Sequence, residues 1–278
     1  IAQGTNSIIA TKMGMSLSDY VVTEAGFASE LGAEKFFNLK CQNAGLSPKA
    51  TVLVATVRAL KYHGGIARSE LANENTEAMK KGFENLDKHI ENIQHFGFNP
   101  VVAINRFHTD STDELSTLKR YIEEKGIPVS INEGWEKGGE GALELAEKVV
   151  EATQQCPSCF RPLYRFEQDV EEKIKIIATM MYGADGVEYA LQARKDLDAI
   201  RSLGFDNLGI CMAKTQNSIS DDKHLKGKPT GFTVKIREIE ISSGAGFLVP
   251  ISGSIMRMPG LPSKPSAEII DIDAKGNI

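Results

Sequence analysis

The sequence predicts an α/β protein organised on a parallel sheet, and two patterns support this fold class. Three apolar runs of strand length lie at residues 51–57, 100–105 and 127–131, and helical patterns separate them. Strand, helix and strand in this order are typical of the βαβ unit, in which the two strands are parallel. Beyond residue 226 the pattern changes to short alternating runs, which indicates a small strand-rich unit at the end of the chain.

Composition and charge restrict the class of partner. The 278 residues carry a net charge of −5 and contain no run of five Lys or Arg residues, so we expect no nucleic-acid surface. No apolar run reaches the roughly 18 residues that span a bilayer, and no signal-peptide pattern opens the chain. We therefore expect no membrane partner and a cytoplasmic location. The chain opens with Ile1 and not Met, and its first residues resemble the middle of a domain, so we expect a fragment of a longer chain.

Cysteine and histidine spacing gives weak evidence for a metal. Cys156 and Cys159 form one Cys-x-x-Cys pair, but the second pair or the paired histidines of a zinc site are missing nearby. The histidines lack metal spacing, and His89 and His95 are interpreted as helix-face residues. We predict no metal site, and a thiol or zinc module at the cysteine pair is the weakest alternative.

The first predicted elements surround a glycine turn. A β-rich run at residues 19–24 leads through Gly26 into a helical stretch at residues 28–38. A strand, a glycine turn and a helix start together predict an anion site, because the N–H groups of the first helical turn are unpaired. This candidate anion site lies at the turn that contains Gly26 and Ala28.

The run at residues 51–57 is predicted to be a buried strand, because it is apolar almost throughout. Arg58 and Lys61 follow it directly. Two cations after a parallel strand suit a phosphate, and a structural role at the strand end is equally consistent with them. Both residues are therefore candidate catalytic residues with an open structural alternative.

Four segments show helix periodicity, so each is expected to bury one face. The predicted stripes are Leu86, Ile90 and Ile93; Leu115, Leu118 and Ile122; Leu143, Ala146 and Val150; and Val170, Ile174, Ile177 and Met181. The first lies in a helical region over residues 70–96, and Gly97 ends that region, where we place a domain boundary. Ser111 and Glu114 form a capping box that begins the second helix.

The last part of the chain is rich in predicted strands. They lie at residues 208–213, 232–241, 246–252 and 267–273, and a polar surface loop is predicted at 217–228. Apolar residues alternate from Phe232 to Ile236 and resume one residue out of step at Ile239. This shift of one residue predicts a β-bulge.

Two aromatic residues follow neighbouring strands of the predicted sheet. Phe107 comes after the strand at 100–105, and Trp135, the only tryptophan, comes after the strand at 127–131 in a glycine-rich loop. Ligands of parallel sheets bind beyond the carboxyl ends of the strands. The two rings therefore predict a clamp for a flat heterocycle. The alternative is that both rings pack into the core.

Several stretches resemble formate–tetrahydrofolate ligase, also called formyltetrahydrofolate synthetase, and they occur in order along the whole chain. They lie at residues 19–27, 31–37, 54–61, 63–65, 105–107, 135–141, 210–215, 258–262 and 270–273. The resemblance implies ATP-dependent ligation of formate to tetrahydrofolate through formyl phosphate, which yields 10-formyltetrahydrofolate. It also implies that Mg²⁺, and possibly a monovalent cation, take part, and that the protein is a homo-oligomer, with a homotetramer suggested.

The resemblance assigns roles to the candidate site residues. Phe107 and Trp135 are expected to sandwich the pterin ring, with Ile131 against the folate. Asn105, Gly138 and Gly139 complete the expected folate-binding set. Gly26 and Ala28 are expected near the transferred phosphate. The family usually has glycine where this chain has Ala28, and arginine where it has Gln42, so we expect a tuned phosphate site.

The phosphate-loop motif of the family's nucleotide-binding domain is absent from this sequence, because Gly227 and Lys228 are followed by proline. The resemblance therefore predicts the second half of the family's chain, inactive without the first half, which would hold most of the ATP and Mg²⁺ contacts. It implies a remnant of a three-layer, parallel-sheet domain like that of phosphate-loop NTPases over residues 1–95. An α/β folate-binding domain over 96–225 and a small strand-rich domain over 226–278 would follow. The alternative function is a non-catalytic folate-binding or oligomer-forming protein of the same fold.

Overall fold

The computed structural model describes residues 5–155 and 159–253, together with residues 255 and 268. The α-helices are α1 (Ile8–Leu17), α2 (Gln42–Ala44), α3 (Val57–His63), α4 (Thr76–Lys81), α5 (Phe83–His95), α6 (Thr112–Glu123), α7 (Gly134–Lys137), α8 (Leu143–Gln155), α9 (Val170–Ile176) and α10 (Leu191–Ser202). Segments of π-helix lie at Ala28–Ala33, Phe36–Cys41 and Ile177–Met181, and 3₁₀ turns at Arg68–Glu70 and Gly138–Ala142. Within the described ranges, no helix has both the length and the apolar character needed to cross a membrane.

The strands form two sheets. They are β1 (Val52–Ala55), β2 (Val101–Asn105), β3 (Val129–Asn132), β4 (Gly186–Tyr189), β5 (Gly209–Ile210), β6 (Thr233–Ser242) and β7 (Phe247–Ser252). The first sheet has the order β1-β2-β3 and is parallel throughout. The second has the order β4-β6-β7-β5 and is mixed, because β6 and β7 are antiparallel. The α/β class and the parallel βαβ arrangement are confirmed.

One face of the parallel sheet is covered by helices α3 to α6. Leu86 and Ile90 of α5 and Leu118 and Ile122 of α6 are buried in one core with the strand residues, including Ile104. The predicted capping box is confirmed, since the Ser111 side chain accepts from the backbone N–H of Glu114. These predicted stripes therefore hold the sheet from one side.

The first strand differs from its prediction. Val52 is 40% exposed and Val54 is 56% exposed, so the expected burial of the whole run is wrong. In the described part of the chain β1 is an edge strand, and its alternate residues face the side that α3 to α6 do not cover. An apolar sequence does not reveal which strand lies at the edge.

The second sheet carries the larger core. All four predicted residues from Val170 to Met181 are fully buried there, so that stripe is confirmed. The predicted bulge is also confirmed, because the register of β6 against β7 shifts between Ile236 and Glu238. The predicted surface loop at 217–228 is wrong at its start, where residues 218–220 are buried. The predicted strand at 267–273 lies outside the described residues except for residue 268.

Two other predictions fail because neighbours decide the outcome. Residues 20–24 form no strand, and Val22 is exposed. The β-pairing next to this segment is a single isolated bridge between Ala25 and Thr5. Helix α8 turns its half-buried Leu145 and Val149 towards the sheet, whereas the predicted stripe of Leu143, Ala146 and Val150 is exposed. Ala146 and Val150 lie about 100° around the helix axis from Leu145 and Val149.

The predicted domain boundaries each fall within a sheet. Strand β1 lies before residue 95, and its partner β2 lies after it. Strands β4 and β5 lie before residue 226, and their partners β6 and β7 lie after it. The division into three domains stays a prediction, and the strands beyond 226 complete a sheet that begins at Gly186.

Candidate functional site

The candidate site lies at the carboxyl ends of β2 and β3. Asn105 and Asn132 are partners in the parallel register, and the Asn132 amide donates to the Asn105 side-chain oxygen at 2.8 Å. The backbone N–H of Arg106 donates to the Asn132 carbonyl at 3.2 Å. These bonds extend the pairing past the last strand residues, so the two following loops leave the sheet side by side.

Phe107 opens a tight turn in the first loop. Its backbone N–H donates to the Asp110 carboxylate at 2.9 Å, and the Asp110 N–H donates back to the Phe107 carbonyl at 3.0 Å. Partial burial raises the pKa of Asp110 above its ordinary value, and the bond from Phe107 opposes that rise. Phe107 itself remains 39% exposed. The backbone is therefore fixed while part of the ring faces solvent.

Arg58 approaches this turn from α3. Its guanidinium carbon lies 4.5 Å from the centroid of the Phe107 ring, and one of its terminal N–H groups donates to the Thr109 hydroxyl at 2.9 Å. The side chain of Thr56 caps α3 by accepting from the Ala59 N–H. Arg58 is thus placed at the second position of the helix that follows β1.

Trp135 lies in the one-turn helix α7, not in an irregular loop as the sequence suggests, and it is 93% exposed. The loop around it is closed tightly, since the Glu133 N–H donates to the Gly141 carbonyl at 2.9 Å. A Cβ atom at Gly141 would lie 2.5 Å from the Glu133 carbonyl carbon, so this approach requires glycine. The indole therefore projects from a constrained loop and is not part of the core.

Gly138 and Gly139 differ from Gly141. A Cβ atom at either position would meet no heavy atom within 4 Å, so the space beside them is open. Gly138 has a φ of +61°, which an L side chain rarely adopts. Ile131 is half-buried at the end of β3 and packs against the core formed with α6. The expected folate-binding residues thus lie along one edge, and their roles stay predictions.

Charged side chains connect the two loops. Glu133 accepts from Lys137 at 2.6 Å and also pairs with Arg106. The hydrogen bond from Lys137, followed by the one from Arg106, lowers the pKa of Glu133 below its ordinary value. Arg106 precedes Phe107 and Lys137 follows Trp135, so this rim joins the segments that carry the two rings.

Lys61 is placed differently from Arg58. Its ammonium lies 3.0 Å from the Glu114 carboxylate, with both side chains fully buried, and it donates to the Asn73 carbonyl at 2.9 Å. The Glu114 carboxylate also accepts from the backbone N–H of Asn75 and Ser111. The ammonium is held between α3, the 73–75 segment and α6. This geometry favours the structural alternative for Lys61.

The predicted phosphate turn is present, but it follows no strand. Phe27 and Ala28 have φ angles of +45° and +25°, and π-helical segment Ala28–Ala33 begins there. A Cβ atom at Gly32 would lie 1.6 Å from the Gly26 carbonyl oxygen, so the turn packs directly onto the helix. Alanine at a positive φ is strained, so glycine would fit this turn with less strain. Gln42 bonds the Asn38 carbonyl within the same helical region.

A buried polar cluster behind this turn was not found from the sequence. The Glu30 carboxylate lies 3.4 Å from the Lys214 ammonium and 3.5 Å from His89 Nδ1, and the Ser29 hydroxyl lies 2.7 Å from the same His89 nitrogen. His89 lies in α5, as its interpretation as a helix-face residue requires, and that half-buried face points towards Ser29 and Glu30 and not to open solvent. Burial lowers its pKa, and Glu30 opposes that effect.

The residues described by the structure contain no group of three or more His, Cys, Asp or Glu side chains that could hold a metal ion. Cys156 lies outside those residues, so the Cys156–Cys159 pair is not described. The sequence also has no phosphate-loop motif. No Mg²⁺–ATP contact is therefore assigned to the described residues, and no reaction step is assigned to them through one.

The protein is of the α/β class, and its exposed aromatic residues and charged rim lie at the carboxyl edge of a parallel sheet, the edge at which ligands of such sheets bind. Residues 1–278 match the family model described as formate–tetrahydrofolate ligase. The chain belongs to the formate–tetrahydrofolate ligase family, which confirms the resemblance and relates it to an ATP-using ligase of folate one-carbon metabolism.

Proposed function

We propose that this chain binds tetrahydrofolate at the carboxyl ends of β2 and β3 and supplies the folate-binding part of a formate–tetrahydrofolate ligase. The observation that carries the proposal is the placement of Phe107 and Trp135. They follow adjacent strand ends, and both are exposed at the same edge of the sheet. An indole that is 93% exposed contributes little to the core, so a ligand gives it a reason to be there.

The proposed ligand is the flat pterin ring of the folate. Stacking on an aromatic face contributes about 0.5–1.5 kcal/mol beyond the buried area for each ring. The open backbone at Gly138 and Gly139 allows close approach of the ligand beside the indole. Asn105 and Asn132 hold the two loops together, and Ile131 provides an apolar surface between them.

In the proposed reaction, formate attacks the γ-phosphorus of ATP, which gives formyl phosphate and ADP. The folate amine then attacks the formyl carbon, the carbon–oxygen bond to phosphate breaks, and the amine proton leaves to solvent or base. The second step requires the amine about 3–3.5 Å from that carbon. In this proposal the described residues bind and orient the folate, and the turn at Gly26 and Ala28 lies near the phosphate. The nucleotide contacts come mainly from the other half of the enzyme.

Fluorescence of the single tryptophan tests the folate site. Titration with tetrahydrofolate should quench the emission of Trp135 in a saturable way, because the reporter lies in the proposed clamp. The Phe107→Ala variant should weaken binding by about 5- to 20-fold, the effect of losing one stacked ring and its buried area. Tyr20→Ala is a matched control, since Tyr20 is also an exposed aromatic residue but lies in the 20–24 segment. Equal affinity of all three proteins would contradict the proposal.

Reconstitution distinguishes the ligase from a non-catalytic folate-binding or oligomer-forming protein. The chain alone should not turn over ATP. It should support ligation when it is mixed with the nucleotide-binding half of a family member. Absence of ligation in the mixture, together with tetrahydrofolate binding by this chain, would favour the non-catalytic alternative.

A further inference from the structure

We propose that Arg58 is a positioning residue for folate binding: it supports the Phe107 ring from one face, so that the ligand stacks on the other. This inference rests on the proposed function, because it specifies how one wall of the clamp is held. It differs from a contact between Arg58 and phosphate, since Arg58 acts through the aromatic ring.

The contacts of Arg58 support this role. The guanidinium lies over the Phe107 ring, 4.5 Å from its centroid, which is within the range of a favourable cation–π contact. Its bond to the Thr109 hydroxyl ties it to the same turn two residues further along. Among the described residues Arg58 makes no ion pair, whereas Arg106, Arg201 and Arg237 do. Its nearest partners are the Phe107 ring and the Thr109 hydroxyl, and its charge also acts to lower the pKa of Asp110 in the same turn.

The turn itself leaves the two side-chain torsions of Phe107 for Arg58 to restrain. Asp110 fixes the backbone at Phe107 through two hydrogen bonds, so the remaining freedom is the rotation of the phenyl side chain. Arg58 lies over one face of the ring and the residue is 39% exposed, so the proposal places the ligand on the opposite face. A ring fixed before binding loses less conformational freedom when the ligand arrives.

The charge of Arg58 should also strengthen stacking of the ligand by polarising the Phe107 ring. A cation on one face draws electron density in the ring towards itself, which makes the opposite face less negative. A reduced pterin is rich in electrons, so it stacks better on a ring that is polarised in this way. Both effects require Phe107, and neither requires Arg58 to touch the ligand.

The test is a thermodynamic cycle between positions 58 and 107, read from tetrahydrofolate titrations of Trp135 fluorescence. Arg58→Met removes the charge at similar length and should weaken binding by about two- to fivefold, the factor expected for one cation–π contact. Arg58→Lys keeps a cation over the ring and should recover at least half of that loss. In a Phe107→Ala background, Arg58→Met should change the affinity by less than about 1.5-fold.

Arg68→Met is the matched control, because Arg68 lies over the ring of Tyr62 and not over Phe107. It should leave the affinity unchanged. The same loss from Arg58→Met with and without Phe107 would overturn the proposal, since Arg58 would then contact the ligand directly. Unchanged affinity of Arg58→Met in the otherwise native chain would also overturn it.

A measurement without ligand separates this inference from the proposed function. The 12 phenylalanines can be replaced by 3-fluorophenylalanine, and the ¹⁹F signal of Phe107 identified by its loss in Phe107→Leu. Arg58→Met should shift that signal and Arg68→Met should not. A shift combined with no folate binding would remove the proposed function and keep the support of the ring by Arg58. An unshifted signal would remove that support even if folate binds.

Discussion

Replacing Lys61 by methionine distinguishes a structural role from a chemical one, and the structure predicts a large loss of stability. The Lys61 ammonium lies 3.0 Å from the Glu114 carboxylate, and both side chains are fully buried. Methionine has a similar length but no charge, so the Glu114 carboxylate would lose its partner. Removing one member of a buried ion pair costs about 3–5 kcal/mol. The carboxylate also caps α6 and holds Asn75, so the damage should reach both segments.

Urea unfolding and thermal melting measure this effect. We expect Lys61→Met to lower the melting temperature by roughly 10 °C, from a few degrees per kcal/mol for a chain of this size. Lys80→Met is the matched control, because Lys80 pairs with Glu77 on the surface, where the side chains are 48% and 80% exposed. It should change the free energy of unfolding by less than about 0.5 kcal/mol. Lys61→Met combined with Glu114→Gln should recover part of the loss, since no charge then remains unpaired.

A different result would refute this reasoning. If Lys61→Met melts like the unchanged protein, the buried pair does not stabilise the fold. If the same variant folds normally and abolishes ligation in the reconstituted enzyme, the ammonium acts in the reaction. The catalytic assignment of Lys61 would then be correct, and the observed pair with Glu114 would describe a resting arrangement.

Three further predictions follow from burial and backbone geometry. Burial raises the pKa of Glu34 to about 7 from 4.5, so the stabilisation from its protonated form is complete below pH 4.5 and is lost as the pH rises to about 7. The unchanged protein should therefore lose stability relative to Glu34→Gln over that range in urea unfolding, and parallel curves would contradict this. Ala28→Gly should raise stability by about 1 kcal/mol, because φ is +25° there, and a lower melting temperature would exclude strain. Val54→Thr should change stability by less than about 0.5 kcal/mol in the same assay, whereas Ala103→Thr on the buried neighbouring strand should be clearly destabilising.

The elements that the sequence predicted correctly are those specified by local pattern. The stripe from Val170 to Met181 is buried because apolar residues at helical spacing form one continuous face whatever the helix packs against. The capping box at Ser111 involves residues three positions apart, so the sequence contains both partners. The bulge near Ile236 was visible because a strand has a period of two residues, and one extra residue reverses the alternation.

The elements that failed depend on what lies next to them in space. The 20–24 segment has the composition of a strand, but no neighbouring strand pairs with it among the described residues. Val54 is as apolar as its neighbours, yet it is exposed because β1 is an edge strand in the described sheet. Helix α8 has two possible apolar faces, and the face with Leu145 and Val149 is the half-buried one, whereas Leu143, Ala146 and Val150 are exposed. Residue type alone cannot select between these arrangements.

In the candidate site, too, the sequence predicts some residues from local pattern, while others depend on their neighbours in space. Phe107 and Trp135 could be placed from the sequence because each follows a strand, and the order of parallel strands brings their ends to one edge. Arg58 and Lys61 could not be separated, because two cations after a strand have the same sequence signal whatever they contact. Their partners decide: Thr109 and the Phe107 ring for Arg58, and the buried Glu114 for Lys61. Arg58 therefore lies at the carboxyl edge of the sheet with Phe107, while Lys61 is buried in an ion pair inside the fold.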